Sequence, residues 1–217
     1  VIVDSLQRDL PKELPRLRLF PGVDLTDFSP EGATRDLHRE FNLPPGTRFV
    51  AYPGGVNFAN EQEVRTLYEA IEHLNQSHCA VRLIRTGPPN DAFRSSLTPT
   101  QRDIALELGF VKRAELPAIL RSADALVQPG ETGTYNDLRL PSKLPEFLAC
   151  GRPVVLPASN LGQLLRDGKD ALVLKTGTAA EISERCQWLF SNPQRAIAIG
   201  AGGRRFAEQH FDSKSNT

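Results

Sequence analysis

The sequence predicts a doubly wound α/β domain, a Rossmann-like parallel sheet with helices on both faces. Three observations point there. Apolar runs of strand length alternate with longer amphipathic stretches along almost the whole chain. The runs take about 4–6 residues and the amphipathic stretches about 8–15, the lengths of βαβ units. The composition is ordinary for a globular domain, with 217 residues, 40% hydrophobic and 24% charged. A chain of this mass can bury roughly 70% of the surface it exposes unfolded, enough for a full core.

The elements follow in order. The run RLRLF at 16–20 reads as a short strand, and Pro21-Gly22-Val23-Asp24 turns the chain after it. A helical pattern over 35–41 stops before Pro44-Pro45-Gly46. The run TRFVAY at 47–52 is a strand. A long amphipathic helix covers 61–75, with Val64, Leu67, Tyr68, Ile71 and Leu74 on one stripe. AVRLIR at 80–85 is the next strand, closed by Thr86-Gly87-Pro88-Pro89. A helix over 100–108, a brief strand at 109–111 and a helix over 114–122 come next, the last with Pro117 in its first turn. The segment 125–128 is a strand and 129–139 a polar loop. A helix over 144–150 is closed by Gly151, then a strand covers 153–156, a short helix 161–166 and a strand 171–174. Helices over 179–190 and 194–210 complete the pattern.

Several function classes are excluded. Lys and Arg total 26 and Asp and Glu total 26, so net charge is zero and the electrostatic footprint of a nucleic-acid binder is missing. No apolar run approaches the ~18 residues of a membrane span. No signal-peptide pattern opens the chain. Cys79, Cys150 and Cys186 are widely spaced and read as buried thiols of a reducing compartment, neither a disulfide frame nor a zinc site. No G-x-G-x-x-G follows a strand, and Gly162 to Asp170 imitates a phosphate loop with the wrong spacing and no hydroxyl for magnesium. No G-x-S-x-G elbow occurs, and the four histidines form no metal-ligand pair at helical spacing. Dehydrogenase, ATPase and hydrolase readings all weaken.

Two segments carry a positive signal. The first is Pro21-Gly22-Val23-Asp24-Leu25-Thr26-Asp27-Phe28-Ser29-Pro30. The second runs from Leu140 through Pro141-Ser142-Lys143-Leu144-Pro145-Glu146 to Gly151-Arg152-Pro153-Val154-Val155. Pro145 is tolerated only in a first turn, so this helix is expected to begin near Ser142, which could cap it. Glu146 then lies near the helix start, beside backbone N–H groups that favour an anion. A carboxylate there accepts two hydroxyls bidentately, and Lys143 and Arg139 offset phosphate charge.

Together the two segments resemble the group 1 glycosyltransferases of the GT-B fold, in the branch with P-S-K before the glutamate. The similarity extends to Val50-Ala51-Tyr52-Pro53-Gly54-Gly55, to the block from Leu108 to Asp124, and to Asp167-Gly168 with Ala171-Leu172-Val173. The resemblance implies a C-terminal, donor-binding domain over 21–217, preceded by an interdomain linker and leading strand at 1–20. It implies a nucleotide-sugar substrate, with Glu146 on the ribose. The diphosphate falls to Ser142, Lys143, Arg139, Gly54 and Gly55. Backbone near Val111 faces the base. It implies retention at the anomeric carbon, no cofactor and no metal, and the absence of a D-x-D triplet agrees. No catalytic residue is assigned, because the family's acceptor site belongs to an N-terminal domain expected to be missing here. The expected location is cytoplasmic, with the inner membrane surface open to the full-length enzyme.

Two departures from the family pattern stand out. The family pairs its ribose glutamate with another eight residues earlier, and that position is Leu138, with Asp137 adjacent as a candidate sugar contact. The family also places a basic pair after the glycine turn, where this chain has Val56-Asn57-Phe58-Ala59-Asn60. A degenerate lobe retained for assembly and a GT-B sugar-nucleotide epimerase are the alternative readings.

Overall fold

The computed structural model describes residues 21–214; the strand expected at 16–20 and the segment 1–20 lie outside the described residues. Among the described residues, six strands form one parallel sheet: β1 (Arg48–Pro53), β2 (Val81–Thr86), β3 (Ala105–Glu107), β4 (Ala125–Val127), β5 (Val154–Pro157) and β6 (Leu172–Leu174). Their spatial order is β3-β2-β1-β4-β5-β6. That is the doubly wound order, with its reversal between β1 and β4.

Alternation along each strand divides the core into two layers. Phe49 and Ala51 of β1 join Ile84, Leu126, Val154 and Leu156 on one face. Val50 and Tyr52 join Val81, Leu83, Val127 and Val155 on the other. Nine α-helices among the described residues connect and cover the strands: α1 (Leu37–Glu40), α2 (Glu61–Gln76), α3 (Asp91–Ser96), α4 (Pro99–Ile104), α5 (Leu116–Arg121), α6 (Thr134–Leu138), α7 (Leu144–Ala149), α8 (Ala179–Ser191) and α9 (Pro193–His210). The apolar stripe of α2 is buried as its spacing predicts, with Val64, Leu67, Tyr68, Ile71 and Leu74 all inaccessible. Helix α8 lies beside α2 on that face. The opposite face carries Ile119, Leu120, Phe147 and Leu148 of α5 and α7.

The opening segment is docked rather than free. Val23 N–H donates to the Phe211 carbonyl at 2.8 Å, closing the start of the described chain onto its end. The Asp24 carboxylate accepts from the amides of Thr26 and Asp27, which holds it below its usual range and makes a tight turn. Phe28 is buried, and Arg204 donates to the carbonyls of Phe28 and Ala149, tying the turn to the end of α7.

The structure corrects several element boundaries. The helix expected over 100–108 ends at Ile104, and Ala105–Glu107 pairs with β2 instead. An open sheet edge offered Leu106 both hydrogen bonds and burial, which outweigh the helix propensity of Ala-Leu-Glu-Leu. No strand forms at 109–111, where Gly109 takes φ +65°. Helix α6 interrupts the expected 129–139 loop, α3 was not foreseen, and 161–166 is a 3₁₀ turn over Asn160–Leu164. The pattern over 35–41 yields only α1, capped by Asp36. Helix α7 begins at Leu144 with Lys143 as its N-cap residue and no side-chain cap bond, so Ser142 does not cap it. The Leu144 amide donates back to Pro141 at 3.1 Å, and this preceding turn moves the start by two residues. Cys150 and Cys186 are buried as expected, and Cys79 is half-buried.

Candidate functional site

The reversal between β1 and β4 leaves a crevice at the carboxyl ends of the strands, where ligands of open α/β sheets bind. The chain leaves β1 through Gly54 at φ +122° and β2 through Gly87 at φ +112°. Gly54 N–H donates to the Thr86 carbonyl at 3.1 Å, and a Cβ on Gly87 would lie 2.6 Å from the Gly55 nitrogen. The two turns therefore interlock with bare backbone on top, which is what only glycine permits.

This backbone floors a cleft of about 360 Å³. Pro88, Phe110, Val111 and Leu116 form an apolar side, and Arg113, Lys143 and Glu146 form the charged side. Glu146 Oε1 accepts from Arg113 Nη1 at 2.8 Å, with the carboxylate 14% exposed and the guanidinium 67% exposed. Arg113 also lies over the buried Phe28 ring, 5.1 Å from its centroid. The opening segment thus contributes to the site by supporting the cation that orients Glu146. Lys143 Nζ stands 4.8 Å from the centroid of the Tyr52 ring. A Cβ on Gly54 would come within 2.6 Å of that ammonium, so the missing side chain is the lane through which Lys143 passes.

The cleft brings together Gly54, Gly55, Val111, Lys143 and Glu146 of the residues singled out from sequence. Ser142 and Arg139 line an adjoining hollow of about 160 Å³ with Tyr52, Asn57, Asn60 and Gln128. Arg139 is not available as a free cation there. It pairs with Glu63 in the first turn of α2 and donates to the Ala59 carbonyl at 2.9 Å. Its charge is neutralised because the chain after α6 crosses directly over the start of α2. Asp137 lines neither hollow. Its carboxylate accepts from Gln163 at 2.8 Å and its carbonyl from Asn160, so α6 turns it toward the 3₁₀ turn. Leu138 is part-exposed beside it.

Contributors not singled out from sequence are Pro88, Phe110 and Leu116 on the apolar side, with Arg113, Gly87 and, in the adjoining hollow, Tyr52. Gly87 had a signal, a glycine directly after a strand. Arg113 had none, because it stands 33 residues from Glu146 in sequence. Among the described residues no group of three His, Cys, Asp or Glu could hold a metal ion, and no helix is long and apolar enough to cross a membrane.

The family model described as "Glycosyl transferases group 1" matches residues 47–192, two thirds of the chain. The chain belongs to the group 1 glycosyltransferases. As such it resembles the D-inositol 3-phosphate glycosyltransferase of Pseudarthrobacter chlorophenolicus, 27% identical over 188 residues, covering 83% of this chain and 43% of that protein. The putative colanic acid biosynthesis glycosyltransferase WcaL of Salmonella typhimurium is 27% identical over 172 residues, 76% of this chain and 39% of that protein. This group 1 chain therefore spans about two fifths of the curated relatives it matches. Among solved structures, Anabaena Alr3699/HepE in complex with UDP and glucose superposes with a TM-score of 0.74 at 17% identity, covering 99% of this chain and 58% of that one. The C-terminal domain of the group 1 protein LpcC from Francisella tularensis superposes at 0.67 and 15% identity, covering 88% of this chain and all of that domain. These likenesses show the fold.

Proposed function

We propose that the chain is the donor-binding lobe of a retaining glycosyltransferase and that its cleft holds a nucleotide-sugar. The observation that carries this reading is the pairing of Glu146 and Lys143, three residues apart at one helix start, over a floor of glycine backbone. Glu146 suits the ribose. Arg113 occupies one carboxylate oxygen, and the other is left to accept sugar hydroxyls. Lys143 and the open backbone of Gly54 and Gly55 suit the diphosphate. The apolar side at Pro88, Phe110, Val111 and Leu116 suits a base. The UDP held by Alr3699/HepE, a protein of the same fold, supports a uridine nucleotide as the first candidate.

In this reading 21–217 is the donor domain and 1–20 the linker to an acceptor domain of the same enzyme. Transfer needs that second lobe, and stabilisation of the departing diphosphate is the contribution made here, without a metal. The isolated chain then binds donor and transfers little. A second reading has one specific observation in its favour. Arg139 is neutralised by Glu63 and Asp137 is turned to Gln163, so the donor-sugar end is poorly furnished, as in a lobe retained for assembly.

Thermal unfolding with UDP-, GDP- and ADP-sugars separates the two. A ligand at 100 times its Kd adds about 2.7 kcal/mol. A rise in Tm with one nucleotide class supports the donor lobe, and no rise with any of them rejects it.

A further inference from the structure

The glycine turn is followed by Val56-Asn57-Phe58-Ala59-Asn60, which has no cation to meet a diphosphate. Arg139 is committed to Glu63 and Arg113 to Glu146. Lys143 has no carboxylate partner among the described residues, and something other than an ion pair holds it over the turn.

The Tyr52 ring is that support. It is 1% exposed and stands at the end of β1, the strand flanked by β2 and β4. From the β2 side comes Arg85, the register partner of Tyr52, itself only 3% exposed. Its Nη1 donates to the Tyr52 carbonyl at 2.8 Å and its Cζ lies 4.9 Å from the ring centroid. From the chain after β4 comes Lys143, with Nζ 4.8 Å from the same centroid. Asn60 donates to both the Tyr52 hydroxyl and the Gly55 carbonyl, so the ring is also tied to the glycine turn. Arg85 also interacts with the Tyr68 hydroxyl, which donates to Glu107 at 2.7 Å. Arg85 Nε is buried without a hydrogen-bond partner. An unbonded buried nitrogen calls for a structural reason, and the guanidinium's contact with the Tyr52 ring supplies one.

We propose that Tyr52, clamped by Arg85, is a positioning residue that holds the Lys143 ammonium over Gly54 ready for a diphosphate, in place of the cations the glycine turn lacks. The attraction is that of a cation for an aromatic face, strengthened by exclusion of water. It fixes a side chain that would otherwise lose four torsions on binding. The inference rests on the donor-site reading for its ligand, but the stack itself can be measured without one.

The first arm uses ¹³C-dimethylated lysines in the 217-residue chain, which keep their charge. The Lys143 signal, assigned by its loss in Lys143→Arg, is expected upfield from ring current, with that shift kept in Tyr52→Phe and abolished in Tyr52→Leu. An unshifted Lys143 signal in the parent overturns the stack, and this observation requires no variant of the buried ring.

The second arm measures UDP and uridine by calorimetry. Tyr52→Leu and Lys143→Ala should each weaken UDP by about five- to tenfold, leave uridine unchanged, and fail to add when combined. Tyr52→Phe should restore the parent affinity. Additive losses, or equal losses for UDP and uridine, would overturn the positioning role. A parent that binds neither UDP nor uridine, yet shows the ring shift, would reject the donor site instead, and with it the ligand assigned to the stack.

Discussion

The domain has two clefts of similar size at opposite ends of its sheet, and they differ in kind. The carboxyl-end cleft measures about 360 Å³ and the amino-end cleft about 330 Å³. Helix α7 runs between them, with Lys143 and Glu146 at one end and Cys150 and Gly151 at the other. At the amino end the charged side chains are already engaged. Arg48 pairs with Asp124 at 3.0 Å, Asp124 also accepts from the Phe49 amide, and Arg152 donates to the Arg121 carbonyl. Burial pushes the Cys150 thiol up to about 12, so it is an inert wall. At the carboxyl end Lys143 has no acid partner among the described residues, one oxygen of Glu146 is open, and glycine backbone forms the floor. Volume alone therefore does not distinguish the candidate site from the other cleft. Unspent charge beside exposed backbone does.

Glycine substitution probes the contrast most strongly. Gly54→Ala puts a Cβ into the Lys143 lane at φ +122°. We expect nucleotide affinity to fall more than about tenfold by calorimetry, since both the floor and the cation move. Both variants should cost stability, because each glycine takes a positive φ, but Gly151→Ala, at φ +66° and 2.7 Å from Pro30 Cγ, should cost nothing else. A left-handed residue with a Cβ costs roughly 1–2 kcal/mol, readable in urea unfolding, with affinity unchanged in Gly151→Ala. The contrast breaks if Gly151→Ala weakens nucleotide binding and Gly54→Ala does not.

The paired carboxylates come next. Glu146→Gln retains shape and loses charge, so UDP should bind about tenfold more weakly while Tm hardly moves. Asp124→Asn should leave binding intact and lower stability by about 1 kcal/mol, because an exposed ion pair contributes little and the Phe49 amide keeps an acceptor. Equal binding losses in both variants would mean that the helix transmits between clefts.

The smallest effect is at Glu181, after β6 on the carboxyl-end rim. Burial raises its pKa, but the amides of Lys175, Thr176 and Gly177 and the Thr176 hydroxyl outweigh that and hold it at about 2 against a usual 4.5. A depressed folded pKa contributes stability that is present above 4.5 and lost as pH falls toward about 2. Glu181→Gln should flatten the pH dependence of Tm across that window and leave nucleotide binding unchanged. A binding loss would make Glu181 part of the site rather than a lock on its own loop.

Much of the fold was legible in the sequence because it rests on local pattern. The stripe of α2, the apolar runs of β1, β2 and β5, and the glycine that closes α7 each report burial or backbone demand through neighbouring residues. Where one segment could satisfy two structures, the pattern failed. Ala105–Glu107 became β3 because an edge of β2 lay open to it, and the loop before α7 folded into α6.

The site divides the same way. Glu146, Lys143 and the glycine turn could be singled out from the sequence, since a proline that belongs in a first turn and a glycine pair after a strand mark one helix start and one turn. The helix nonetheless begins two residues later than expected. Only the tertiary structure decided which charges remain free. Arg139 met Glu63 across 76 residues, Arg113 met Glu146 across 33, and Lys143 settled on Tyr52 rather than on an acid. With 26 charges of each sign, composition leaves no net field. The physical reason is that pairing depends on distances that chain folding sets, and those distances left Lys143 on an aromatic face, without an acid, over the glycine turn.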